Sequence, residues 1–87
     1  MIEATVSDDG TPTAGQSYTL MCHVSVSGAG HTTINRYQWR KDGTMLPERG
    51  PILSFSPLRL FNAGEYTCWV YVNGTLLSGS RAITLQS

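Results

Sequence analysis

The feature that most constrains this chain is the placement of its two cysteines within alternating runs. Tyr18, Leu20, Cys22, Val24 and Val26 occupy every second position, with Thr19, Met21, His23 and Ser25 between them. Tyr66, Cys68, Val70 and Val72 repeat the pattern, with Thr67, Trp69 and Tyr71 between them. A β-strand sends successive side chains to opposite faces, so both cysteines are expected on the buried faces of two strands far apart in sequence. Between them, Tyr37 and Trp39 alternate with Arg36, Gln38 and Arg40. That predicts a strand over Arg36–Lys41 with Trp39 turned inward.

The rest of the chain reads the same way, as short alternating runs separated by Gly, Pro, Asn, Asp and Ser. Ile2–Ser7 is expected to be the first strand, broken by Asp8-Asp9-Gly10-Thr11-Pro12. Ser27–Asn35 is expected to be a loop of small polar residues. Lys41-Asp42-Gly43-Thr44 signals a turn, followed by a short edge strand at Met45-Leu46. Ile52–Ser56 is the next predicted strand. Asn73-Gly74 is a favoured pair for a two-residue type I′ hairpin. It should lead into a last strand over Leu76–Gln86 that places Ile83 and Leu85 inward.

Eighty-seven residues make one domain, spanning 1–87. A chain this short buries too little surface for a wide stability margin. Six basic and six acidic residues give a formal net charge of zero, which argues against nucleic acid or an anionic membrane as the main partner. No apolar run approaches the roughly 20 residues of a membrane span, so direct membrane insertion by this segment is not expected. Met1 followed directly by Ile2-Glu3-Ala4, with no secretory signal, reads as a start placed before a domain cut from a longer protein.

Around the second cysteine stands Leu58-Arg59-Leu60-Phe61-Asn62-Ala63-Gly64-Glu65-Tyr66-Thr67-Cys68. This resembles the Leu…Asp-Ala-Gly-x-Tyr-x-Cys segment of the immunoglobulin superfamily, with Asn62 where the family usually has Asp. Together with Cys22 and Trp39 the resemblance covers nearly the whole chain. It implies an all-β fold, an immunoglobulin-like two-sheet antiparallel Greek-key sandwich, with a Cys22–Cys68 disulfide packed on Trp39. It also implies a tyrosine corner, in which the Tyr66 hydroxyl bonds to backbone near Asn62. The family's usual Asp pairs with an Arg, here Arg49; an amide at Asn62 forfeits the charge assistance of that pair. Only 28 residues separate Trp39 from Cys68, too few for the two additional strands of a variable domain. The resemblance is therefore closer to the compact intermediate set, although the long loop before Arg36 leans toward the variable set.

No enzyme signature is present: there is no nucleophile elbow, no phosphate-binding glycine loop and no clustered carboxylate pair. His23 and His31 complete no zinc spacing with the cysteines, and no cofactor is expected. Strand parity instead places Trp69 and Tyr71 outward beside Gln38 and Arg40. That composition suits a protein-binding hot spot, and it equally suits a cross-strand cluster that covers the sheet. Asn73-Gly74-Thr75 is an N-glycosylation sequon. Loop Ser27–Asn35 reads as adaptable contact surface or plain connector. The expected function is an extracellular domain of a cell-surface receptor or adhesion protein. It would recognise a protein, either a heterophilic ligand or a second copy. A spacer in a multi-domain array, from a receptor such as a receptor tyrosine kinase or a muscle-type scaffold, and immune-type recognition through the loops are the alternatives.

Overall fold

In a computed structural model, which describes residues 2–28 and 32–85, the alternating runs form seven strands. These are β1 (Ile2–Asp8), β2 (Tyr18–Val26), β3 (Ile34–Lys41), β4 (Thr44–Met45), β5 (Ile52–Phe55), β6 (Gly64–Val72) and β7 (Thr75–Ile83), with one 3₁₀ turn at Leu60–Asn62. They make two antiparallel sheets, ordered β1-β2-β5 and β4-β3-β6-β7. The inner faces of the two sheets supply the core: Ala4, Val6, Tyr18, Leu20 and Cys22 from one, Trp39, Tyr66, Cys68, Val70, Val72 and Ile83 from the other, with Leu58 between.

Cys22 on β2 and Cys68 on β6 are joined across the sheets, with Cα atoms 6.2 Å apart at a sequence separation of 46. Trp39 stands directly opposite Cys68 in the β3–β6 register and is fully buried. Its indole N–H donates to the Gly50 carbonyl at 2.8 Å, so burial strands no donor. Tyr66 donates its hydroxyl proton to the Asn62 carbonyl at 2.7 Å, which is the expected corner.

Asn62 has no bond to Arg49 among the described residues. Its side-chain oxygen accepts the Arg59 backbone N–H at 2.8 Å and closes the 3₁₀ turn. Arg49 is exposed, and its own backbone N–H goes to Glu48 Oε2. A neutral amide can close this turn without a cationic partner.

Element ends differ from the sequence reading for tertiary reasons. β3 starts earlier, at Ile34, with a bulge between Ile34 and Arg36. The neighbouring Thr33 is tied to the β6–β7 turn: Asn73 N–H donates to Thr33 O at 2.9 Å, and Thr33 N–H to Asn73 Oδ1 at 2.8 Å. The loop is shortened accordingly, and Ala29, Gly30 and His31 lie outside the described residues. β4 begins at Thr44 because Asp42 and Gly43, at φ 49° and 89°, close a tight hairpin that pairs Lys41 with Thr44. Asn73 and Gly74, at φ 51° and 81°, do the same for β6 and β7. β5 closes at Phe55 and β7 at Ile83 rather than at the expected Ser56 and Gln86; Gln86 lies outside the described residues. β6 offers no partner beyond the Gly64–Ile83 pair. Val26 was expected on the buried face and is 39% exposed, because β5 covers β2 only as far as Met21.

Gly79 stands opposite Cys68 on β7. A Cβ there would meet the Ala4 carbonyl oxygen at 2.6 Å and the Thr5 Cα at 3.0 Å. The absent side chain is what lets β1 lie against β7. Gly79→Ala should push the backbones apart and cost about 2 kcal/mol, lowering Tm by on the order of 10 °C for a domain of this size. A thermal melt unchanged within about 2 °C would refute the close-approach role.

Candidate functional site

The outer face of the four-stranded sheet carries an aromatic and cationic cluster in ordered rungs. Arg36 stands opposite Tyr71, Gln38 opposite Trp69 and Arg40 opposite Thr67. Across β6, Tyr71 faces Leu76 and Trp69 faces Ser78. Parity sends these side chains outward because Tyr37, Trp39, Cys68 and Val70 go inward. The Arg36 guanidinium lies 5.9 Å from the Tyr71 ring centre and that of Arg40 lies 5.8 Å from Trp69. Both distances fall within cation–π range.

Gln38 organises the centre of the face. Its Oε1 accepts two hydrogen bonds from Arg40, from Nε at 3.3 Å and Nη2 at 3.1 Å. Its Nε2 points the other way, toward Met45 Sδ at 3.5 Å, which orients the amide. Arg36, Gln38, Arg40, Trp69, Tyr71 and Leu76 line a shallow depression of about 340 Å³. Tyr71 is 39% and Leu76 46% exposed, while Trp69 is half-buried. The four residues singled out in the sequence therefore come together. Leu76 was missed there, although the Asn73-Gly74 turn already dictates its register opposite Tyr71. Arg36 was placed outward but not assigned to the site, and Met45 needed the β3–β4 hairpin to bring it near.

The other expected positions lie elsewhere. His23 is exposed on the opposite sheet with a ring nitrogen 2.8 Å from Ser7 Oγ. No group of three or more His, Cys, Asp or Glu that could hold a metal occurs among the described residues. Among them, no helix is long and apolar enough to cross a membrane. Asn73 is exposed at the β6–β7 turn, beside Thr33. A second, more apolar slot opens beside Leu46, Leu53, Phe55 and Tyr66, between β4 and β5.

A separate polar cluster ties the two sheets together. Asp8 Oδ2 on β1 accepts from the Tyr18 hydroxyl on β2 at 2.7 Å and from Arg81 Nε on β7 at 3.1 Å. Burial pushes the Tyr18 hydroxyl up to about 12, helped by the hydrogen bond and negative charge of Asp8 and opposed by Arg81. Burial also raises Tyr66. The cluster joins β1, β2 and β7 through a single carboxylate oxygen, Asp8 Oδ2.

The structure is thus a disulfide-clamped β-sandwich with a tyrosine corner and a polar–aromatic outer face. The model of the immunoglobulin domain family matches residues 2–85, and the chain belongs to that family. No curated protein sequence matches it. Among solved structures it is similar to the first three domains of the bacteriophage RB49 highly immunogenic outer capsid protein Hoc, with a TM-score of 0.85 at 18% identity over 98% of this chain and 29% of that one. It is also similar to Dscam, in a structure addressing isoform specificity (TM-score 0.78, 19% identity, 99% and 21% of the two chains). The four N-terminal domains of Dscam1 isoform 9.44 match equally well (TM-score 0.78, 20% identity, 99% and 21%). The chain thus spans between a fifth and a third of these longer proteins, and at such identities the likeness is one of fold.

The Tyr18 shift sets an alkaline limit. The folded state holds this phenol neutral more firmly than the unfolded chain, whose tyrosine titrates near 10. The resulting stabilisation is complete below about pH 10 and is lost as pH rises through about 12. Urea midpoints from pH 8 to 11.5 should fall above pH 10, and fall less steeply in Tyr18→Phe. Equal slopes in the two proteins would contradict this.

Proposed function

We propose that this domain is an extracellular recognition module that presents the Arg36, Gln38, Arg40, Trp69, Tyr71 and Leu76 face to a protein partner, within a longer multi-domain protein. The observation that carries this reading is the two half-exposed aromatics, each backed by a guanidinium, on the flat outer side of a rigid sheet. Large amphipathic rings next to arginine dominate binding energy at protein interfaces. The inter-sheet disulfide favours an oxidising compartment. The solved chains it resembles support the multi-domain setting, since one structure holds three N-terminal domains and another four. A spacer domain is the rival reading, and it would leave this face as simple cover.

The test is a streptavidin tetramer of the biotinylated domain, screened against an array of extracellular ectodomains. Trp69→Ala should reduce binding of any wild-type hit at least about tenfold while leaving Tm nearly unchanged. Equal binding by the variant removes the face from recognition. No hit for either protein, with a monomer at every concentration in sedimentation, favours the spacer.

Asn73 is proposed as a glycan acceptor. Its Oδ1 is held by Thr33 N–H, while its amide nitrogen has no partner among the described residues. A glycan there would stand at the turn two residues beyond Tyr71, bordering the face without covering its centre. Secretion from a eukaryotic host should add glycan mass that Asn73→Gln abolishes. Wild-type protein of bare polypeptide mass would exclude the modification.

A further inference from the structure

The charges on the recognition face are arranged unlike those on the rest of the molecule. The chain as a whole is neutral, yet the depression is lined by two guanidiniums and no carboxylate. Among the described residues the single ion pair is Arg81–Asp8, on the other side of the sheet edge. Arg40 is positioned by a neutral acceptor, Gln38 Oε1, and that amide is oriented in turn by Met45. An amide fixes a guanidinium without cancelling its charge. Arg36 donates to no protein acceptor among the described residues. Arg40 spends two of its five N–H donors and keeps three.

Resting on the recognition reading above, we propose that the partner is an acidic, extended segment of a different protein. Two of its carboxylates would meet Arg36 and Arg40, and an apolar side chain would lie between them on Trp69 and Tyr71. Arg36 and Arg40 are four positions apart on β3, about 13 Å along a strand. An extended segment puts residues i, i+2 and i+4 on one side with the same spacing, so the matching pattern is acid-x-apolar-x-acid. Planar guanidiniums take carboxylates through paired N–H donors, and the cation–π contacts hold both planes in place before binding.

A second copy fits this face less well. A two-fold axis through the depression would bring Arg36 of one copy against Arg40 of the other, and like charges brought together suppress association. Glu65 projects from the same face beyond Thr67 and forms no ion pair among the described residues. A copy displaced along the strands would use it, which makes Glu65 the residue that exposes the homophilic alternative.

The experiment uses the isotope-labelled intact domain and two short capped peptides, one containing Glu-Thr-Leu-Thr-Glu and the other its Gln-Thr-Leu-Thr-Gln counterpart. The acidic peptide should move the Trp69 indole N–H and the Arg36 and Arg40 Nε–H resonances. It should bind at least about tenfold more tightly than the amide peptide, as one or two charge-assisted hydrogen bonds provide. That preference should shrink between about 0.01 M and about 0.15 M salt. The double substitution Arg36→Gln and Arg40→Gln should erase it with Tm changed by only a few degrees. Equal binding of both peptides at this face overturns the acid selectivity and leaves the recognition face standing. No movement of these resonances with either peptide overturns the inference, while the Trp69→Ala array result still judges the face. Self-association that Glu65→Gln abolishes would make a second copy the occupant, and would likewise overturn it.

Discussion

The covalent link between Cys22 and Cys68, with the Trp39 indole beside it, is the constraint on which the rest of this molecule depends. It joins the centre of one sheet to the centre of the other. Closing a loop of this length is worth roughly 4 kcal/mol in the chain-entropy account. Small domains have only about 5–15 kcal/mol in total, and among the described residues the core here holds twelve buried side chains. Trp39 ties the same region to the long β4–β5 connection through Gly50. Rigid sheets held at a set separation are what allow the outer face to be flat and ordered.

That rigidity passes to the outer face of the four-stranded sheet through strand parity. Every residue pinned inward on β3 and β6 commits its neighbours to the outside, so Trp39 and Cys68 fix where Gln38, Arg40 and Trp69 must stand. The face needs no loop to organise it. Its two guanidiniums are held by aromatic rings and an amide rather than by carboxylates, which leaves it cationic on a neutral molecule. Preorganised donors of this kind lower the ordering cost of binding. The Asp8, Tyr18 and Arg81 cluster has the opposite character, since its charges are satisfied internally and its work is to join β1, β2 and β7.

The two tight hairpins show how much of the site geometry is local. Asp42-Gly43 and Asn73-Gly74 both place two residues at positive φ, the backbone of type I′ turns. Each sets the register of the strands it joins, and the second thereby delivers Leu76 to Tyr71. The consequences of Asn73 reach farther than its turn, because its backbone and side chain also hold Thr33 and extend β3. A sequon residue here has a structural duty as well as the chemical one proposed for it.

Period-two alternation, the turn dipeptides and the Cys22, Trp39, Tyr66 and Cys68 pattern were enough to determine the sandwich, its inward residues and the side of the sheet on which Trp69 and Tyr71 stand. Those properties are legible because each depends on neighbours within a few positions or on a motif that only one architecture satisfies. The strand ends, the Asn62 contact, the open stretch of β2 beyond Met21 and the placing of Met45 beside Gln38 were not legible. Each is decided by a backbone or side chain brought close from elsewhere in the chain. The same holds for the uncompensated charge of the face. Six acids and six bases can be counted in the sequence, and alternation alone puts Arg36 and Arg40 on one face, but only tertiary structure leaves carboxylates out of the depression they line and puts Asp8 with Arg81, because charge pairing depends on distance in space.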